Sequence, residues 1–314
     1  MPLTTRSHVD VPIVRSLAWL LGGGFLFLIA SSGCAGRIGL SIGEGIKGSG
    51  VLQTEQRPIA AFTRIDTSSV VKLEWQADQE PNLEVTGEDN LLEHLVTEVR
   101  GDTLKIYFKK NVEPTKDVVV KAASPGIDGL SGSGATQSTL KGVHSDQFKL
   151  SLSGVSQCTI SGEAKALSLE CSGASVLKGD QLEAGSATVA TSGTATAELQ
   201  AKGLRSVQAS GSSHVTVGQV STKDLKIDLS GTGQCTVSGQ VNQLTIQASG
   251  AAAVHAAGLK AQSVQVGISG SSSVEVEAVQ SISGSASGAA SVRYHGNPTT
   301  QAVQTSGSAS VQRE

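Results

Sequence analysis

From residue 121 onward a Ser-Gly dipeptide returns at a nearly constant interval, and this repeat constrains the fold of the 314-residue chain more than any other feature. Its glycines are Gly134, Gly154, Gly173, Gly193, Gly211, Gly231, Gly250, Gly270, Gly288 and Gly307, separated by 20, 19, 20, 18, 20, 19, 20, 18 and 19 residues. A spacing so steady points to a solenoid, in which each turn buries its apolar edge against its neighbours rather than within itself. Inside a period, apolar and polar residues alternate. Phe148, Leu150 and Leu152 precede Gly154, and Cys158 and Ile160 follow it; Leu225, Ile227 and Leu229, and Leu244, Ile246 and Ala248, repeat the pattern. Period two belongs to strands, and nothing sustains the 3.6-residue period of a helix. The expected fold is therefore all-β, a parallel β-solenoid with about 18–20 residues per turn. Glycine at the same place in every turn suits a tight corner of positive φ or close stacking of backbones, so the ten glycines are expected to be structural. With turns about 4.8 Å apart, ten of them make a rod on the order of 45–50 Å long.

Composition agrees with this reading. Aromatic residues are 3% and charged residues 16% of the chain, too little aromatic area for an ordinary enzyme core and too little charge for a disordered chain. The net charge of −3 offers no basic surface for neutralising phosphates, which excludes nucleic acid as an expected partner.

The amino terminus reads as an address. Arg6 and Arg15 precede an uncharged apolar run from Leu17 to Ala30, followed by Ser31, Ser32, Gly33 and Cys34. This is the layout of a signal peptide over residues 1–33, and the run is shorter than the roughly 17–25 residues of a membrane-spanning helix. A cysteine directly after small residues resembles the bacterial lipobox, in which it is acylated and becomes the mature terminus. Cys34 is thus the expected lipidation site, although Ser31 stands where lipoboxes usually have Leu, and ordinary cleavage leading to secretion also satisfies the small-residue rule. Residues 34–50, rich in Gly and without strand pattern, read as a flexible tether.

Residues 51–120 differ from the repeats: 21 of 70 positions are charged, against 24 of the 194 that follow, so this portion reads as a soluble cap that begins the same solenoid. Strands are expected at Val70–Trp75, Leu83–Thr86, Leu104–Phe108 and Val118–Val120. Trp75, Tyr107 and Phe108 alternate with charges in the manner of cap core residues.

Particular residues then carry a family resemblance. Gly50, Arg57, Phe62 and Ile65 lead to Gly87-Glu88-Asp89-Asn90-Leu91-Leu92, Gly101 and Leu104-Lys105-Ile106, and the repeats close with Val292-Arg293-Tyr294-His295-Gly296-Asn297-Pro298. From about residue 51 to the end the chain resembles the head GIN domain family, named for an auto-transporter adhesin head. The resemblance implies a right-handed parallel β-helix in bacterial cell-envelope proteins, often behind a lipoprotein signal, with no known catalysis.

Candidate chemistry is sparse. Gly43-Glu44-Gly45-Ile46-Lys47-Gly48 spells G-x-G-x-x-G, but without a preceding strand and an opening helix it makes no dinucleotide site. Cys158, Cys171 and Cys235 are odd in number and read as small buried hydrophobes; Cys158 and Cys235, four turns apart, are not expected to meet. His94, His144, His214, His255 and His295 are scattered singly, with no metal-ligand spacing. Asp224 and Asp228, and Glu275 and Glu277, each share a strand face, where solvated surface charge explains them better than glycoside chemistry, the second pair having no basic or aromatic group in view. Thr188, Thr191, Thr194 and Thr196 cluster in one turn and form no recurring ladder. The expectation is a non-catalytic envelope lipoprotein without cofactor or metal, a structural or interaction module held on a membrane by its lipid and facing an envelope protein or polysaccharide. A β-helix enzyme acting on envelope polysaccharide, marked by a groove with paired carboxylates or a metal on one wall, and an assembly or regulatory lipoprotein are the alternatives.

Overall fold

The computed structural model describes residues 45–314 except Gln79. The signal segment, Cys34 and the first residues of the expected tether lie outside the described residues.

The repeats form a parallel β-solenoid. After β10 (Gly129–Gly132), each turn contributes one long bent strand: β11 (Gln137–Leu152), β12 (Gln157–Cys171), β13 (Val176–Thr191), β14 (Thr196–Ala209), β15 (His214–Leu229), β16 (Gln234–Ala248), β17 (Ala253–Ile268) and β18 (Ser273–Ala286). Each pairs in parallel with the next. The coil ends with β19 (Ser291–His295), β20 (Thr300–Thr305) and β21 (Ser310–Arg313). The aliphatic residues that alternate in the sequence all point inward; Leu150, Leu169, Ile227, Ile246 and Val266, for example, are at most 1% exposed. Each such side chain contributes roughly 1.5–3 kcal/mol by leaving water.

Gly134, Gly154 and their eight successors take φ between 70° and 81°. They also stack: a Cβ built on Gly154 would stand 2.7 Å from the carbonyl oxygen of Gly134, and the same clash recurs up the column. The peptide after each corner donates to the glycine carbonyl one turn below, as Val155 N does to Gly134 O at 2.8 Å and Ala174 N to Gly154 O at 2.8 Å. Both physical reasons for glycine therefore act together. The column begins one turn earlier than the glycines suggest, at Ser69, whose φ is 75° and whose backbone lies against Gly134.

A larger period is superimposed on the small one. The spacings 20, 19, 20 and 18 occur twice, so Gly134, Gly211 and Gly288 are 77 residues apart. The shift of register between Leu140 and Val143 recurs between Val217 and Val220. Gly142 (φ 73°) matches Gln219 (φ 61°), and Gly162 (φ 127°) matches Gly239 (φ 130°). Buried Cys158 and Cys235 are likewise equivalent, and they, with Cys171, are free thiols. Burial raises all three, Cys171 to about 11 and Cys235 to about 12, which makes them inert packing groups.

The amino-terminal portion departs from a simple first stretch of coil. It comprises β1 (Ile46–Lys47), β2 (Leu52–Gln56), β3 (Arg64–Thr67), β4 (Lys72–Ala77), β5 (Asn82–Glu88), α1 (Asp89–Leu92), β6 (Leu95–Arg100), β7 (Thr103–Phe108), β8 (Val112–Glu113) and β9 (Val119–Ser124). β3 and β4 form a rung that pairs in parallel with β10 and β11 on one side and with β7 and β9 on the other. The chain thus lays down a middle rung, builds outward, and returns across it to start the repeats. The outer side is closed by antiparallel pairing, β6 on β7 and β5 on β9 with β2 beyond. Antiparallel closure covers the edge that a bare parallel coil would present to other chains. Trp75 and Phe108 are buried as expected, with Trp75 Nε1 donating to Ser124 Oγ at 3.0 Å. Tyr107 is not in the core: as the neighbour of Phe108 on a strand it faces the other way, half-buried, its hydroxyl 3.2 Å from Glu98.

The expected tether over residues 34–50 also ends earlier. β1 pairs with β8, and Gly48 N donates to Glu113 O at 3.0 Å. The Gly87–Leu92 motif makes the clasp. Glu88 accepts hydrogen bonds from Gly50 N at 2.7 Å, Thr115 N at 2.8 Å, Thr115 Oγ1 at 2.5 Å and Lys116 N at 3.3 Å. Asn90 grips the same segment, donating to Lys47 O at 2.8 Å and accepting from Ser49 N at 2.9 Å. Gly48 lies so close to the Glu88 carboxylate that a Cβ there would push the carboxylate out of its hydrogen bonds. Leu91 and Leu92 anchor the clasp in the core.

Candidate functional site

Two places gather polar side chains in a shaped setting. The first is one wall of the amino-terminal half, where β7, β3, β10 and the second halves of β11, β12, β13 and β14 run side by side. Their outward residues line an open trough of about 1470 Å³, to which loop residues Thr63, Asp102 and Asp128 add their side chains. Outward positions on strands are free of packing demands, so charges of both signs alternate here. Lys105 meets Asp66 at 2.9 Å and Lys165 meets Asp146 at 2.6 Å; Arg64 pairs with Asp102, and Ser145 Oγ donates to Asp128 at 2.9 Å.

This trough is the groove with carboxylates on one wall that an enzyme on polysaccharide would need, yet its electrostatics run the other way. The hydrogen bond from Arg64 holds the Asp102 carboxyl below its ordinary range, and that from Lys165 does the same for Asp146. A glycosidase acid needs its carboxyl pushed up, toward neutral pH. Phe148, beneath the trough, is 1% exposed and offers no stacking face to a sugar. What the wall can do is exchange hydrogen bonds with an extended polar chain across seven strands.

The second place is near the carboxyl end, where the sequence reading of single, unconnected histidines is corrected. His255, Glu275 and His295 come from successive turns, and Glu314 follows β21. His295 Nε2 lies 3.0 Å from Glu275 and 3.8 Å from Glu314, and His255 Nδ1 lies 3.8 Å from the other oxygen of Glu275. Arg293 Nε is 3.4 Å from Glu314. The hydrogen bond with His295 holds the Glu275 carboxyl below its ordinary range against the opposing effect of its partial burial, and Arg293 and the histidines add to the lowering. Glu275 is thus not an isolated surface charge; basic groups surround it. The signal for this cluster was present only in part: residues 255, 275, 295 and 314 are about one repeat period apart, but in register Glu275 stands opposite Arg293 and His295 opposite Glu277, so the contact of Glu275 with His295 is diagonal.

The other candidates remain dispersed. Asp224 is exposed and Asp228 pairs with Lys226 at 2.8 Å. Thr191 is buried and donates to Ser213 Oγ at 3.0 Å, while Thr188, Thr194 and Thr196 form no continuous face. Among the described residues of the G-x-G-x-x-G run, Gly45 and Gly48 lie against Glu113 and Glu88, and the run opens no helix.

A parallel coil with glycine corners, an antiparallel cap and polar walls defines a repeat scaffold of the kind that presents extended surfaces. The chain belongs to the family described as "putative auto-transporter adhesin, head GIN domain", which matches it twice, over residues 61–218 and 204–298. Among solved structures it is similar to a "putative adhesin" from Parabacteroides distasonis, at 19% identity and a TM-score of 0.51, covering 86% of this chain and 100% of that one. A "putative adhesin" from Parabacteroides merdae matches at 18% identity and a TM-score of 0.50, covering 87% and 100%. A "putative lipid binding protein" from Parabacteroides distasonis matches at 20% identity and a TM-score of 0.49, covering 86% and 100%. At these identities the likeness is one of fold. No curated protein matches the chain. The family suggests a cell-surface or envelope protein that acts as an interaction module.

Proposed function

We propose that the protein is a lipid-anchored, non-catalytic module of the bacterial cell envelope that binds an extended polar partner, an envelope polysaccharide or a protein segment, along the trough of its first half. The observation that carries this reading is the trough itself: a long, open wall of alternating charges and hydroxyls whose carboxylates Asp66, Asp102, Asp128 and Asp146 are each engaged by a cation or a hydroxyl. Membrane attachment through Cys34 rests on the signal-peptide layout and the small residues before the cysteine. Among the described residues, no helix is long and apolar enough to cross a membrane.

Retention on isolated envelopes tests the proposal. Lys149→Glu combined with Arg205→Glu, both exposed on the trough, is expected to lose retention with an unchanged far-UV circular dichroism spectrum. Equal retention of variant and wild type would overturn the trough as the binding surface, and hydrolysis of any member of a polysaccharide panel would overturn the non-catalytic reading. For the anchor, Cys34→Ser is expected to move the protein from the membrane fraction to the soluble or secreted fraction; an unchanged distribution would remove the lipid from the account.

A further inference from the structure

We propose that Glu275, His295 and Glu314, with His255 beside them, form a binding site for a divalent first-row transition-metal ion, zinc being the best matched, which clamps the last turns of the coil together. His295, Glu275 and Glu314 each offer one ligand atom, and the three atoms all lie within 4.8 Å of one another. Zinc bound tetrahedrally to nitrogen and oxygen takes bonds of about 2.0–2.2 Å, which sets its ligands roughly 3.3–3.5 Å apart. The separations of 3.0 Å from His295 to Glu275 and 3.8 Å from His295 to Glu314 bracket that spacing, so small rotations of exposed χ angles complete the triangle. His255 lies outside that triangle, 3.8 Å from the second oxygen of Glu275, and steadies that carboxylate from the turn below.

The donor set decides the class of ion. Imidazole with carboxylate suits zinc and its first-row neighbours, whereas magnesium and calcium take oxygen alone. The backbone holds the donors in place: His255 and Glu275 are partners in register on β17 and β18, and Glu314 N donates to Tyr294 O at 3.0 Å, fixing residue 314 beside β19. Tyr294 is buried and its hydroxyl donates to Gln301 at 2.8 Å, which anchors the strand that carries His295. Arg293 beside Glu314 offsets the charge of two neighbouring carboxylates. The ion would tie the turn of β18 to that of β21. Among the described residues, the strands that pair at this end do so in parallel, and β20 and β21 carry no buried residue.

Calorimetric titration of the full chain in detergent with zinc chloride tests the site, with magnesium chloride as the comparison ion. One equivalent of zinc is expected to bind, to raise the melting temperature, and to be unmatched by magnesium. Glu275→Gln is expected to weaken zinc binding at least about tenfold, the lower range of what even an outer-shell substitution costs at a metal site, whereas Asp224→Asn, exposed on a distant turn, leaves it unchanged. His255→Ala, on an interior turn, serves as a second variant should Glu275→Gln fold poorly, and is expected to weaken binding in the same direction. Absence of zinc binding by the wild type, or equal binding by Glu275→Gln and His255→Ala, would overturn the proposal.

Discussion

Gly211 carries two constraints at once, a φ of 71° and a position where a Cβ would stand 2.6 Å from the carbonyl oxygen of Gly193. The left-handed conformation costs a residue with Cβ about 1–2 kcal/mol, and overpacking against a fixed backbone adds typically 1–3 kcal/mol. Gly211→Ala is therefore expected to destabilise the protein by about 2–5 kcal/mol, read as a lower midpoint in urea. Gln219 presents the opposite case. It sits exposed at φ 61° where the earlier block has Gly142, so it bears the conformational cost without any packing reason to do so. Gln219→Gly is expected to raise stability by about 0.5–1 kcal/mol, the left-handed strain relieved less the extra chain entropy of glycine when unfolded. A fall in the midpoint for Gln219→Gly would show that its side chain has a role the backbone does not reveal. The corner glycines could be read from the sequence because each obeys the same local rule; Ser69, which occupies the same corner, could not, because its residue type hides its conformation.

At the scale of elements, the clasp of Gly87–Leu92 on residues 46–50 depends on one carboxylate. Burial raises the Glu88 pKa, but the hydrogen bonds from Thr115, Gly50 and Lys116 outweigh it and leave the group below its ordinary value. A folded-state pKa below the unfolded one contributes stability that is complete above the unfolded value, near 4.3, and is lost as pH falls through the folded value. Amide hydrogen exchange of residues 46–50 is thus expected to lose protection as the pH is lowered through the folded value, and to lose it by a smaller factor in Glu88→Gln, which has no charge to neutralise. Equal loss in both proteins would place the acid-sensitive group elsewhere. The motif was legible as a family resemblance, yet its physical task was not, because Glu88 acts on Gly50 and on Thr115, segments far apart in the chain. The cap was hidden for the same reason. Pairing of β2 with β5 and β6 with β7, and the return of the chain across the β3–β4 rung, leave no periodic trace.

On the scale of the whole molecule, one geometric fact governs both candidate sites: residues one period apart become neighbours on a wall. It built the histidine and glutamate cluster from four turns, and it aligned the strands of the trough. The coil was legible because every turn states this rule again, whereas the trough was not, because two of its seven strands, β3 and β7, belong to the aperiodic cap. Ser212 and Thr232 offer the most direct test, since their hydroxyl oxygens lie 2.8 Å apart on adjacent turns and both side chains are exposed. Cysteines placed at both positions are expected to form an intrachain disulfide on mild oxidation, seen as a linked peptide by non-reducing mass spectrometry, while a Ser212→Cys, Ala251→Cys pair two turns apart remains reduced, being about 9.6 Å apart. No linkage at 212 and 232, or equal linkage of the two pairs, would contradict the stacked column.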